Sequence, residues 1–162
     1  MPSITQSKNL GDLLKYEAPN LYSREAATVA AGQNLQLGTV LGRKTADGKL
    51  YALAPAATDG TETAVGVLAT DTDATLIDRD DAIAVARHAI VARNALIWPA
   101  GITSPQKTTA EAQLVALGIL VRDASLGGEF PVMCVTLMNP RTGGVFASFG
   151  AHPSLEVALE RS

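Results

Sequence analysis

The sequence predicts an α+β fold rich in β-structure: a small compact β-domain with short helices, a flexible N-terminal arm and a C-terminal extension. Three observations carry that reading. Apolar runs of strand length, such as Leu50-Tyr51-Ala52-Leu53 and Ala64-Val65-Gly66-Val67-Leu68-Ala69, recur between polar, turn-forming flanks. Within the central part only the stretch around Thr108–Leu117 carries both a helix start and a helix stop. Both ends of the chain differ in texture from the middle, which divides it into an arm over 1–27, a core domain over 28–123 and an extension over 124–162.

In chain order, the arm scatters Leu10, Leu13, Leu14, Tyr16, Leu21 and Tyr22 among the breaks at Gly11, Pro19 and Asn20. Leu10, Leu13 and Leu14 can share one face of a single helical turn. So short a helix is marginal in water without a partner, so the arm reads as a terminus that becomes ordered against something else. From Ala27 onward, β segments follow through Leu35 and Gly38–Gly42, and Ala46-Asp47-Gly48-Lys49 is a hairpin turn centred on Asp-Gly. Gly66, inside the next strand, marks a bulge or a close backbone approach. Thr75-Leu76-Ile77 reads as the start of another β segment. Residues 82–92 admit either an alanine-rich helix or a buried strand, and the β-branched Ile83, Val85 and, after a break in phase, Ile90 favour strand for most of the stretch. Pro99 ends regular structure after Leu96-Ile97-Trp98, and 100–106 reads as a Gly/Pro/Ser loop. Thr108 or Thr109 can cap a helix that stops at Gly118, and Ile119-Leu120-Val121 is a short strand. In the extension, Ser125–Gly128 is a linker, Phe130–Leu137 and Val145–Phe149 form a hairpin across the turn 139–144, and 155–161 is a short helix.

The composition narrows the function classes. Aromatic residues make up 4% of the chain while apolar residues make up 47%, many of them alanine, so the core must be built from small side chains. The net charge of −3 argues against nucleic acid as a partner, because phosphate binding needs a basic stripe. No apolar run reaches membrane-spanning length, and Met1–Lys8 lacks the basic-then-apolar order of a signal peptide. Cys134 is the single cysteine, which rules out an intrachain disulfide and fits synthesis in a cytoplasm.

A search for chemistry gives no site. Asp71, Asp73, Asp78, Asp80 and Asp81 lack the glycine and the terminal glutamate of a calcium loop, and Leu76-Ile77 interrupts them, so they read as solvated turns. His88 and His152 lie outside any metal-ligand spacing. Cys134 sits in an apolar strand, where an inert buried thiol is the usual outcome. Gly32, Gly38 and Gly42 are not clustered with a lysine as a phosphate loop requires. The expectation is a protein with no catalytic, cofactor or metal residues that is not an enzyme.

The order of segments does carry information. "TVAAGQNLQLGTVLGRKTADGKLYAL", then "TDGTETAVGVLATDTDAT", then "LIWPAG" and "ALGILVR" resemble, in that collinear series, the lambda-type head decoration proteins of tailed bacteriophages. The pairing of the "DGTETAVGVL" strand with a later Leu-Ile-Trp-Pro is the best marker, and the resemblance covers about residues 10–122. It implies a capsid cement protein that binds as homotrimers to the outer surface of the expanded head, at local three-fold sites on the major capsid protein, and strengthens the shell against DNA pressure. It also implies an N-terminal arm that orders on the capsid protein by strand addition. On this reading Leu10, Leu13, Leu14, Tyr16, Leu21 and Tyr22 are the capsid contacts, and Trp98 with Pro99 is a structural or interface anchor. The expected location is the virion surface, with no nucleic acid or membrane bound. Short members of the family end near the position of Val121-Arg122, so the resemblance does not reach the extension, where Phe130, Phe146 and Phe149 are the candidate contacts. Two other readings compete: a small-molecule-binding β-barrel with Trp98 and Tyr51 lining a pocket, and a hydrolase using Cys134 or the Asp71–Asp81 cluster.

Overall fold

The structure, a computed structural model, describes residues 8–123 together with the backbone of 132–138 and 145–151. The chain divides into two compact units, Met1–Asp123 and Ala124–Ser162. The first opens with a one-turn helix α1 (Leu10–Leu13) and strand β1 (Leu14–Glu17). Strands β2 (Arg24–Val29), β3 (Gln33–Leu35), β4 (Val40–Arg43), β5 (Leu50–Ala52), β6 (Ala64–Leu68), β7 (Thr72–Ala74), β8 (Arg79–Val85) and β9 (Ala89–Ala92) follow. A 3₁₀ turn over Arg93–Ala95, helix α2 (Ser104–Ala116) and strand β10 (Ile119–Arg122) complete the unit. The β-rich α+β fold expected from the sequence is the fold found.

Five strands close into a barrel in the order β2-β5-β4-β6-β8. The β4–β5 hairpin turns where Asp47-Gly48 predicts it: Gly48 has φ +71°, and the Asp47 carboxylate accepts from the Lys49 N–H at 3.0 Å. The barrel closes through the single parallel pair Val29↔Leu50 and through β2 against β8. A barrel this narrow leaves room only for side chains inside, and Val29, Leu41, Leu50, Leu68, Ala82 and Ala84 fill it. Two glycines let backbones meet. A Cβ on Gly42 would stand 2.3 Å from the Thr61 carbonyl oxygen, and one on Gly66 would stand 2.6 Å from that of Val85. The β4–β6 register shifts between Leu41 and Gly42, whose partners are Gly66 and Ala64, so Val65 is the extra residue of a bulge. The expectation at Gly66 is met on both counts.

A three-stranded sheet, β1-β9-β10, lies beside the barrel. β9 and β10 are parallel, and α2 makes the crossover between them, the connection parallel strands require. Leu114 and Ala110 are the buried side chains of α2, and the Gln113 side-chain carbonyl accepts from the Ala64 N–H at 2.8 Å, tying the helix to β6. Gly118, with φ +77°, ends the helix as expected.

Four expectations need correction. Helix α2 starts at Ser104, not at Thr108 or Thr109. Thr103 and Gln106 form a capping box and Pro105 sits in the first turn, so residues read as a loop carry the start signal. Thr75-Leu76-Ile77 is a bend: the strand is β7 just before it, and Leu76 is 89% and Ile77 67% exposed. Residues 82–92 form not one strand but β8 and β9, broken by a turn in which His88 adopts φ +43°. The boundary expected at residue 27 falls inside barrel strand β2, and Leu13 of the supposed arm is fully buried.

In the second unit, β11 (Val132–Met138) and β12 (Val145–Ala151) pair antiparallel from Val132↔Ala151 to Met138↔Val145, the hairpin the sequence predicts. The expected linker, the 139–144 turn, Phe130 and the helix over 155–161 lie outside the described residues.

Candidate functional site

The residues proposed for chemistry have structural duties. Asp71 accepts from the Leu37 N–H at 2.7 Å. Asp78 accepts from the Ala31 N–H at 2.8 Å and from the Lys49 ammonium at 2.6 Å. Asp73 accepts from the backbone and hydroxyl of Thr75, which together hold its carboxyl below the usual range. Asp81 pairs with Arg79 at 2.7 Å. No three His, Cys, Asp or Glu side chains among the described residues are grouped to hold a metal. Cys134 lies on β11, and His152 is outside the described residues.

Trp98 and Pro99 are partly buried where the chain leaves the 3₁₀ turn. The Ile97 N–H donates to the Gly38 carbonyl at 2.8 Å and the Ile97 carbonyl accepts from the Val40 N–H at 3.1 Å, which fixes this segment against the barrel. Trp98, Pro99, Ile97, Leu35 and Val40 line a shallow recess of about 210 Å³. Tyr51 is not part of it. Its hydroxyl donates to Asp47 at 3.0 Å, so the two aromatics of the pocket reading do not share a cavity.

The more developed surface is the outer face of the β1-β9-β10 sheet. Register aligns Tyr16 with Ile90 and Ile90 with Leu120, a row of three apolar side chains across the sheet. The opposite face carries Ala89, Val91 and Ile119, all buried. Beside the row, Tyr22 is 55% exposed and its ring lies 5.7 Å from that of His88. The Arg87 guanidinium stands 5.6 Å from the Tyr22 ring centre, a cation–π geometry. Tyr16, Tyr22, His88, Ile90 and Leu120, with Gly118, line an open recess of about 320 Å³.

Local geometry builds this recess. Ser23 is fully buried; its hydroxyl accepts from the Ala18 N–H and donates to the His88 carbonyl, both at 2.8 Å. One side chain thus joins the loop after β1 to the turn after β8. Glu17 and Arg24 clamp the same loop through two hydrogen bonds of 2.7 Å, and the guanidinium holds the Glu17 carboxyl below its ordinary range. Asn20, Leu21 and His88 are the non-glycine residues with positive φ among the described residues, and His88 lines the recess.

Of the six expected N-terminal contact residues, Leu13 is committed to the core and Leu10 and Leu14 are partly buried. Tyr16, Leu21 and Tyr22 are exposed. Phe146 and Phe149 lie on β12. His88, Ile90 and Leu120 are not among the contact residues that the sequence suggests. Their row exists only through the register of three strands far apart in the chain, although positive φ at a non-glycine is a signal once backbone angles are known.

Among the described residues, no helix is long and apolar enough to cross a membrane. Residues 3–119 match the model of the bacteriophage lambda head decoration protein D family. The match covers well over half of the chain, so the chain belongs to that family, whose members are structural capsid proteins. Two curated proteins are also similar over shorter segments. One is an uncharacterized protein of Haemophilus influenzae, 51% identical over 59 residues, 36% of this chain and 10% of that protein. The other is the ribosomal protein S12 methylthiotransferase accessory factor YcaO of Escherichia coli, 48% identical over 65 residues, 40% of this chain and 10% of that protein. The chain therefore spans about a tenth of the length of either.

Proposed function

Proceeding from membership of the lambda head decoration family, we propose that this protein is a cement protein that binds as trimers to the outer surface of the expanded head. It occupies local three-fold sites on the major capsid protein and stabilises the shell against internal DNA pressure. The observation that carries this reading is the family match over residues 3–119. The filled barrel supports it as well: the side chains that would have to leave to admit a ligand are at most 8% exposed. For this reason the small-molecule-binding barrel is the weaker reading.

The capsid contact is assigned to the N-terminal segment. Among the described residues β1 pairs with β9 on one side only and so presents an unpaired edge, the arrangement that strand addition uses. Leu10, Leu14 and Leu21 are its apolar candidates; Tyr16 and Tyr22 face the recess. The extension over 124–162 adds an intersubunit contact, since an isolated two-stranded hairpin is marginal in water and must pack on something. Removing 125–162 should leave unit 1 folded and weaken trimers or head binding; a truncated chain that does not fold would place the extension in the core instead.

The test of the cement role is protective. Packaged heads lacking their own decoration protein, incubated with this chain, should release DNA at a higher temperature than untreated heads. Equal release temperatures at full loading would refute it.

A further inference from the structure

We propose that the β3–β7 ribbon is a strap over the barrel, and that the Gln33 amide on it is the latch that keeps strand β5 closed against β2. The latch does not depend on head binding.

β5 is held unequally on its two sides. It pairs with β4 at Leu41↔Ala52, Gly42↔Tyr51 and Arg43↔Leu50. It meets β2 only at Val29↔Leu50, backed by the Ala30 N–H, which donates to the Leu50 carbonyl at 3.1 Å. On that weaker side the Gln33 side chain stands in for ladder hydrogen bonds. Its Oε1 accepts from the Ala52 N–H at 2.9 Å, and its Nε2 donates to the Leu50 carbonyl at 3.3 Å and to the Ala30 carbonyl at 3.2 Å. One amide thus grips both sides of the seam and satisfies backbone groups that are costly to leave unpaired.

The ribbon is placed to carry such a latch. Its inner face bears Gln33, Leu35, Thr72 and Ala74, and its outer face bears the exposed Asn34 and Asp73. Leu35 and Ala74 join the same buried cluster as Val29 and Leu50. The chain runs from β2 into the ribbon and on to β4, and from β6 into the ribbon and on to β8. β5 is the one barrel strand without such a covalent connection, and it is the strand that Gln33 grips.

Asp78, just after the ribbon, adds a second hold. Its carboxylate accepts from the Ala31 N–H at 2.8 Å and from the Lys49 ammonium at 2.6 Å. Ala31 lies beyond the end of β2 and Lys49 directly precedes β5, so this contact bridges the same seam. An ion pair this exposed contributes little, which leaves Gln33 the greater share. The other flank of β2 needs no such help, since it meets β8 at five positions from Arg24↔Val85 to Val29↔Arg79. Loss of the Gln33 amide therefore opens one seam and not the whole barrel, a local opening of the kind that amide exchange resolves.

Hydrogen exchange of the full chain, read amide by amide by NMR, tests this. Gln33→Ala should speed exchange at the Ala30 N–H about tenfold or more, as unpairing partly buried polar groups predicts. The Ala30 N–H donates to Leu50 and not to Gln33, so it reports the seam and not the removed contact. Two reference amides should stay within about twofold of wild type: Ala69, which donates to the Ile83 carbonyl between β6 and β8, and Lys44, which donates to the Lys49 carbonyl within the β4–β5 hairpin. Asp78→Asn, at an exposed position, should give the same pattern at smaller amplitude, and it decides by the same comparison if Gln33→Ala does not fold. Leu76→Ser with Ile77→Ser alters the exposed tip after the ribbon but neither hold, and should leave the Ala30 rate at the wild-type value. Equal acceleration at Ala30, Ala69 and Lys44 would make Gln33 a contributor to global stability alone. An unchanged Ala30 rate would mean that the seam stays closed without it. Either result, or a tip variant that speeds Ala30 as much as Gln33→Ala does, would overturn the proposal.

Discussion

The barrel and the outer face of the β1-β9-β10 sheet are built from different residues. Inside the barrel, alanine, valine and leucine meet at short range, and Gly42 and Gly66 let backbones touch. On the outer face lie Tyr16 and Tyr22, the left-handed residues Asn20, Leu21 and His88, and two clamps, Ser23 and the Glu17–Arg24 pair. Tyr16, Tyr22, Tyr51 and Trp98, the aromatic residues of the first unit, all stay outside the fully buried set. A protein that keeps its large side chains out of a core of small ones is using them elsewhere, and aromatics are the residues that interfaces favour.

Four changes should separate these roles, from the largest expected effect to the smallest. Leu13→Ala removes a fully buried side chain and should cost about 2–5 kcal/mol of unfolding free energy by denaturant titration. A loss within error of zero would return Leu13 to the arm. Ser23→Ala should cost about 1–3 kcal/mol, because it leaves the Ala18 N–H and the His88 carbonyl without their partner. Ser23→Thr should recover part of that cost.

The third change works through pH. Arg24 depresses the Glu17 pKa in the folded state. Its stabilisation is therefore complete above the unfolded value near 4.5 and is lost as pH falls through the lower folded value. Glu17→Gln should melt below wild type at neutral pH, and the gap should close in acid; a gap that widens in acid would contradict the sign. Last, Tyr22→Ser, at an exposed position, should change stability by no more than about 0.5 kcal/mol. A large fall in stability would make Tyr22 part of the scaffold.

Local signals in the sequence carried the local structure. Asp47-Gly48 marks its hairpin and Gly118 its helix end, because each acts through its own backbone angles. Pairings between distant segments left no such trace. Barrel closure depends on Val29 meeting Leu50, and the recess depends on Tyr16, Ile90 and Leu120 falling into one row. Leu13 was read as arm because a one-turn helix has no stability of its own; the core that buries it comes from strands later in the chain. The start of α2 was missed for a different reason. Pro105 punctuates a loop and opens a helix equally well, and only the Thr103–Gln106 capping box decides between them.

The most direct test of the account is cosedimentation of the full chain with empty heads of its phage, expanded and unexpanded, over a range of protein concentrations. The account predicts saturable pelleting with expanded heads at a fixed number of copies per capsomer junction, and none with unexpanded ones. Equal pelleting with both forms, or none with the expanded form, would contradict it.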